Sequence, residues 1–162
     1  VVPVNINLQD NALGVCAVIF ATSKNNIPPM EMMKISFEGN KKVNAEFNGQ
    51  IISTDQPLQA GGDGTAPAPF TLFLASIGTC AGIYVKSFCE QRNIPTEKIT
   101  ITQKMNYNFK TRLIDHIELK LHLPTDFPEK YKSAIINAVN LCAVKEHLKN
   151  PPVIETVTEM DA

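Results

Sequence analysis

Two cysteines are the residues in this chain whose type and setting suit chemistry. Cys80 lies inside an almost uncharged stretch, GTAPAPFTLFLASIGTCAGIYV, that runs from Gly64 to Val85, and Cys142 lies in NLCAVKEHL near the other end. A thiol in such surroundings is either mute packing, since free cysteine is among the most buried residue types, or a guarded nucleophile. If the fold brings the two together, the chemistry is thiol redox. A thiolate attacks a peroxide oxygen, becomes a sulfenic acid, and is captured by the second thiol as a disulfide. An aromatic wall of Phe70, Phe73 and Tyr84 would favour organic hydroperoxides over hydrogen peroxide. The thiolate also needs a cation or hydrogen-bond donors close by, and the sequence supplies no evident cation. Cys142 follows polar Asn140 early in a helical segment, where partial exposure is expected; spacing alone does not establish that it meets Cys80.

The remaining candidates read more plainly. Cys89 is nine residues beyond Cys80, and nine helical steps of about 100° turn it to the opposite face. Cys89 and Cys16 are read as buried packing. With no CxxC spacing among the four cysteines, structural zinc and a secreted disulfide framework are both excluded, and a reducing, cytoplasmic setting fits. His147 follows Cys142 by five residues rather than the three or four that place ligands on one helix face, and His116 and His122 fall on a predicted strand, so no metal is expected. The turn Gly61-Gly62-Asp63-Gly64 lacks the Walker lysine and the dinucleotide spacing, and is read as a sharp turn into a helix. No cofactor is expected.

Composition narrows the class. At 162 residues the chain suits one domain with a real core. Fifteen Lys and Arg face sixteen Asp and Glu, with no basic block, which removes the electrostatic footprint of nucleic-acid binding. Charged residues make up 19%, low enough to hint at surface hidden in an oligomer. The apolar segment from Ala12 to Ala21 lacks a basic flank and is too short to span a bilayer. It is read as a buried strand or short helix, with a trimmed export sequence as the alternative, and no membrane partner is expected.

The elements that must position the cysteines follow from periodicity. Residues 1–30 end in SKNNIPP and read as an N-terminal extension before a domain over 31–162. From Lys34, apolar alternation at Ile35, Phe37, Val43, Ala45, Phe47 and Ile51, broken at Glu38-Gly39-Asn40 and Asn48-Gly49, predicts an antiparallel meander of three strands. A helix from Pro67–Phe70 to about Arg92 is expected to cover it. Phe73, Ile77, Cys80, Tyr84 and Phe88 form one stripe and Leu74, Ala81 and Val85 an adjacent one, which predicts burial on nearly all sides until the last turns. Gly78 and Gly82 inside this helix are expected to admit another backbone at close range. KITITQKMNYNF and LIDHIELKLHL predict a longer hairpin turning near Lys110 to Leu113, and FPEKYKSAIINAVNLCAVKEHL predicts a helix stopped by Asn150-Pro151-Pro152. The tail VIETVTEM alternates and predicts a final strand.

The segments GGDGTAPAPFTLFLASIGTCAGIYVKSFCEQRNIP and NLCAVKEHL together resemble the OsmC-like family, which includes the organic hydroperoxide resistance proteins; the resemblance runs from about Met33 to Met160. It implies an α+β fold with antiparallel strands around a long buried central helix, in an intertwined homodimer. It also implies a thiol-dependent organic hydroperoxide reductase in which Cys80 is peroxidatic and Cys142 resolving, recycled by a thiol reductant. The alternative is a non-catalytic dimer of the same fold that binds an apolar ligand or has another thiol redox role. Active peroxidases of the family hold the thiolate with an upstream arginine paired to a glutamate in the first turn of the central helix. In this chain the glutamate position falls on Phe70, followed by Thr71, and both arginines, Arg92 and Arg112, lie after Cys80. Lys41, Lys42 and Asp63 are the candidate replacements, and the pattern places the chain in a divergent branch.

Overall fold

The computed structural model describes residues 32–160. The N-terminal extension and Cys16 therefore lie outside the described residues. The chain forms two compact units, one ending at Ser76 and one beginning at Ile77, each taken by itself below. The boundary falls inside one continuous helix.

In the first unit, β1 (Lys34–Glu38), β2 (Lys42–Phe47) and β3 (Gln50–Thr54) form an antiparallel sheet in the order β1-β2-β3. The pairing Phe37↔Val43 fixes the first hairpin and Phe47↔Gln50 the second. Asn48 and Gly49 both take positive φ, 51° and 73°, as a two-residue hairpin turn with matching twist requires. On β1 and β3, Ile35, Phe37, Ile51 and Ile52 are exposed, Phe37 to 86%, while Val43, Ala45 and Phe47 on β2 are half-buried.

The long helix α1 spans Pro69–Glu90. Its start and end follow the sequence: Pro69 suits a first turn, where an N–H would have no partner, and Asn93 beyond the end adopts positive φ. By length and composition it is apolar enough to cross a membrane. Its second half is the spine of the second unit's core, where Ala81, Val85, Phe88 and Cys89 pack with Phe127, Ile135, Ala138 and Val139. Each such side chain, fully buried, contributes about 1.5–3 kcal/mol when it is as large as Ile or Phe. Burial on nearly all sides is not what α1 has, since Phe70, Phe73 and Ile83 are exposed by 42–58%.

The second unit continues with β4 (Thr100–Asn108) and β5 (Leu113–His122), an antiparallel pair with an irregularity at Asn106/Tyr107. The Asn108 side chain closes its turn by accepting from the backbone N–H groups of Lys110 and Thr111. Ile101, Leu119 and Leu121 face the core from this hairpin. Two short helices follow, α2 (Lys132–Asn140) and α3 (Ala143–Lys149), where one unbroken helix was expected. Residues 150–160 form no strand, and Val153, Ile154, Val157 and Met160 are at least 87% exposed. A strand needs a partner edge, and none among the described residues takes up the tail. The predicted close approach at the helix glycines is also corrected. A Cβ on Gly78 would meet only the Gln103 side chain, 2.8 Å away, and one on Gly82 would meet nothing within 4 Å.

Candidate functional site

The second unit brings Cys80 and Cys142 together. The Cys142 thiol and the backbone N–H groups of Val144 and Ala143 lie close enough to act on the Cys80 thiol. α1 carries Cys80 one turn past Ile77, half-buried, with Ala81 buried beside it. Cys142 occupies the break between α2 and α3, at φ −56° and ψ 124°. That extended residue turns the chain and leaves the first N–H groups of α3 without partners in their own helix. Two of them, on Ala143 and Val144, favour the Cys80 thiolate. Cys142 itself is fully buried, which corrects the expected partial exposure: the break tucks its side chain inward. No Pro or Gly marks this break in NLCAV, so helical periodicity could not reveal it.

Electrostatics at the pair are not those of a strongly activated thiolate. Burial pushes the Cys80 thiol up from its ordinary value, and the neighbouring Cys142 thiol pushes it the same way. The N–H groups of Val144 and Ala143 pull it down, less strongly. No cation among the described residues contributes to this balance. All three cysteines among the described residues are free thiols. Cys89 is fully buried in the core, where desolvation raises its thiol and the charge of Arg92 opposes the rise in part.

The other sequence candidates have definite places. Phe70 and Phe73 stack on each other, with ring centroids 5.6 Å apart and planes inclined by 23°. Tyr84 is buried, eleven residues beyond Phe73 or about 16 Å along the helix axis. Lys42 and Asp63, two candidate replacements for the family's cation and acid, are engaged with each other at 3.6 Å. His147 turns Nδ1 to the Ala143 carbonyl oxygen at 2.8 Å, and among the described residues no group of three or more His, Cys, Asp or Glu is placed to hold a metal.

Sequence reasoning missed Asp55. This carboxylate is fully buried in the first unit and accepts from the N–H of Gln56 at 2.7 Å, the N–H and Oγ1 of Thr65 at 2.9 Å each, and the N–H of Asp63 at 3.4 Å. These donors, led by the Thr65 N–H, hold it down at about 2. Gly62 is required beside it, because a Cβ there would stand 2.0 Å from the Gln56 carbonyl oxygen. An acid just ahead of the Gly-rich run was the available signal. Its four donors make Asp55 the anchor of the turn that leads toward α1.

Comparison with known proteins adds the family. The family model described as OsmC-like protein matches residues 62–157. Among solved structures, one from Psychrobacter arcticus superposes with a TM-score of 0.60 at 18% identity, covering 72% of this chain and 87% of that one. An OsmC like protein from Mycoplasma pneumoniae gives 0.59 at 12% identity, over 77% and 91%, and a protein from Aquifex aeolicus gives 0.53 at 19%, over 75% and 88%. At such identities these likenesses speak for the fold alone. A comparison with curated protein sequences finds no match.

Proposed function

This chain belongs to the OsmC-like family, and on that premise we propose that it is a thiol-dependent reductase of organic hydroperoxides, with Cys80 peroxidatic and Cys142 resolving. The observation that carries the reading is the approach of the Cys142 thiol to the Cys80 thiol. In the first step the Cys80 thiolate attacks the outer peroxide oxygen; the O–O bond breaks, an alcohol leaves after taking a proton, and Cys80 becomes a sulfenic acid. In the second, Cys142 attacks the Cys80 sulfur, a disulfide forms, and water departs. An external dithiol then returns both cysteines to thiols, carrying away the two electrons' worth of oxidation. The N–H groups of Ala143 and Val144 serve as the donors that a thiolate needs when no cation is present.

We further propose that the working form is a homodimer, in a cytoplasmic setting that keeps the thiols reduced. The exposed apolar residues on β1, β3 and the first half of α1 are the surface it would cover. A second reading, a dimer that binds an apolar ligand without turnover, is favoured by one observation: the Cys80 thiol is raised rather than lowered. Peroxide consumption separates the two. With cumene hydroperoxide and a dithiol reductant, Cys80→Ser should abolish consumption, and Cys142→Ser should stop cycling while a sulfenic acid accumulates that dimedone captures. Unchanged consumption in both variants defeats the enzyme reading.

A further inference from the structure

Beyond the end of α1, the second unit holds a cleft of about 540 Å³ that the thiol pair does not use. Cys80 lies ten residues before the helix ends at Glu90, so the cleft is about 15 Å away along the axis. Arg92 and Ile94 line one side, and Phe127, Lys130 and Tyr131 the other. Arg92 is half-buried, the central carbon of its guanidinium 3.8 Å from the centroid of the Phe88 ring and 5.5 Å from that of Tyr131. One terminal nitrogen donates to the Phe88 carbonyl oxygen at 3.0 Å and reaches the Gln91 side-chain oxygen at 3.5 Å. No carboxylate pairs with Arg92 among the described residues. A guanidinium has five donors in a planar fork suited to a carboxylate.

Charge and shape define the ligand class. Lys98 and Lys130 also line the cleft, with Glu97 and Asp126 as the opposing acids, which leaves one net positive charge. Lys130 is held with its ammonium 4.9 Å from the Tyr131 ring. The half-buried Tyr131, with Ile94 and Pro95, gives the cleft an apolar wall. We propose that this cleft binds a singly charged organic acid with a flat apolar body, its carboxylate taken by the free edge of Arg92 and its body laid against Tyr131 and Ile94. A guanidinium that only capped the helix and packed on Phe88 would not discriminate among ligands.

The test titrates 3-phenylpropionate into the full chain by calorimetry and by backbone amide NMR, with neutral 3-phenylpropionamide as the control. Saturable one-to-one binding is expected, with amide shifts concentrated in residues 92–98 and 126–131. The neutral amide and the Arg92→Gln variant should each bind at least about tenfold more weakly, the worth of one lost charged hydrogen bond. Should Arg92→Gln fail to fold, Lys98→Gln, an exposed residue in no ion pair, should retain the fold and weaken binding by about two- to fivefold. Absence of saturation at about 10 mM, equal binding of acid and amide, or shifts centred on Cys80 and Cys142 would overturn the proposal. So would unchanged affinity in every variant that folds.

Discussion

A thiol becomes a useful nucleophile only through its neighbours, and those of Cys80 oppose one another. Burial and the adjacent Cys142 thiol favour the protonated form, while the N–H groups of Val144 and Ala143 favour the thiolate. The balance lies with the thiol. Oxidation of Cys80 should therefore rise with pH well past neutrality, by roughly tenfold per pH unit while the thiol remains mostly protonated. Stopped-flow oxidation by cumene hydroperoxide between pH 6 and 10 checks this. A rate already level at neutral pH would reveal a thiolate held by a cation from outside the described residues. The pair itself was only half legible in the sequence. The apolar run around Cys80 marked a guarded thiol, but the sharp turn at Leu141–Cys142 that presents two backbone N–H groups to it has no Pro or Gly to announce it.

At the scale of elements, the hairpins and α1 were legible because strict alternation, Asn48-Gly49 and the Pro-led apolar run each act over a few neighbouring residues. Elements that depend on a distant partner were not, as the tail from Val153 to Met160 illustrates: its alternation is that of a strand, and it lies exposed with nothing to pair with. Asp55 belongs to the same class, because its meaning depends on Thr65 ten residues on. Its carboxylate, held at about 2 against an ordinary 3.8, stabilises the turn fully above the ordinary value. That stabilisation fades below 3.8 and is gone once pH has fallen through about 2. Asp55→Asn, which sets an amide against the N–H donors, should lower the melting temperature at pH 7, with the gap to wild type narrowing as pH drops from 4 toward 2. A gap that stays constant across that range would show that the charge of Asp55 contributes nothing.

For the whole molecule, the exposed apolar residues form the largest debt left by a single chain. Ile35, Phe37, Ile51, Phe70, Phe73 and Ile83 are all exposed, more apolar surface than an isolated soluble chain normally shows. The proposed homodimer would hide it, and sedimentation should find a species of twice the 17.8 kDa chain mass; a monomer at micromolar concentration would contradict that. The low charge of the sequence pointed the same way, although no sequence pattern says which copy of a segment pairs with which. Central to the account is that Cys80 and Cys142 act as one redox unit, and the most direct measurement is intact mass with peptide mapping after one equivalent of cumene hydroperoxide. The account predicts loss of two hydrogens and a single new Cys80–Cys142 link within seconds, with Cys89 still free. All cysteines remaining as thiols, or oxidation no faster than that of an unactivated thiol, would contradict it.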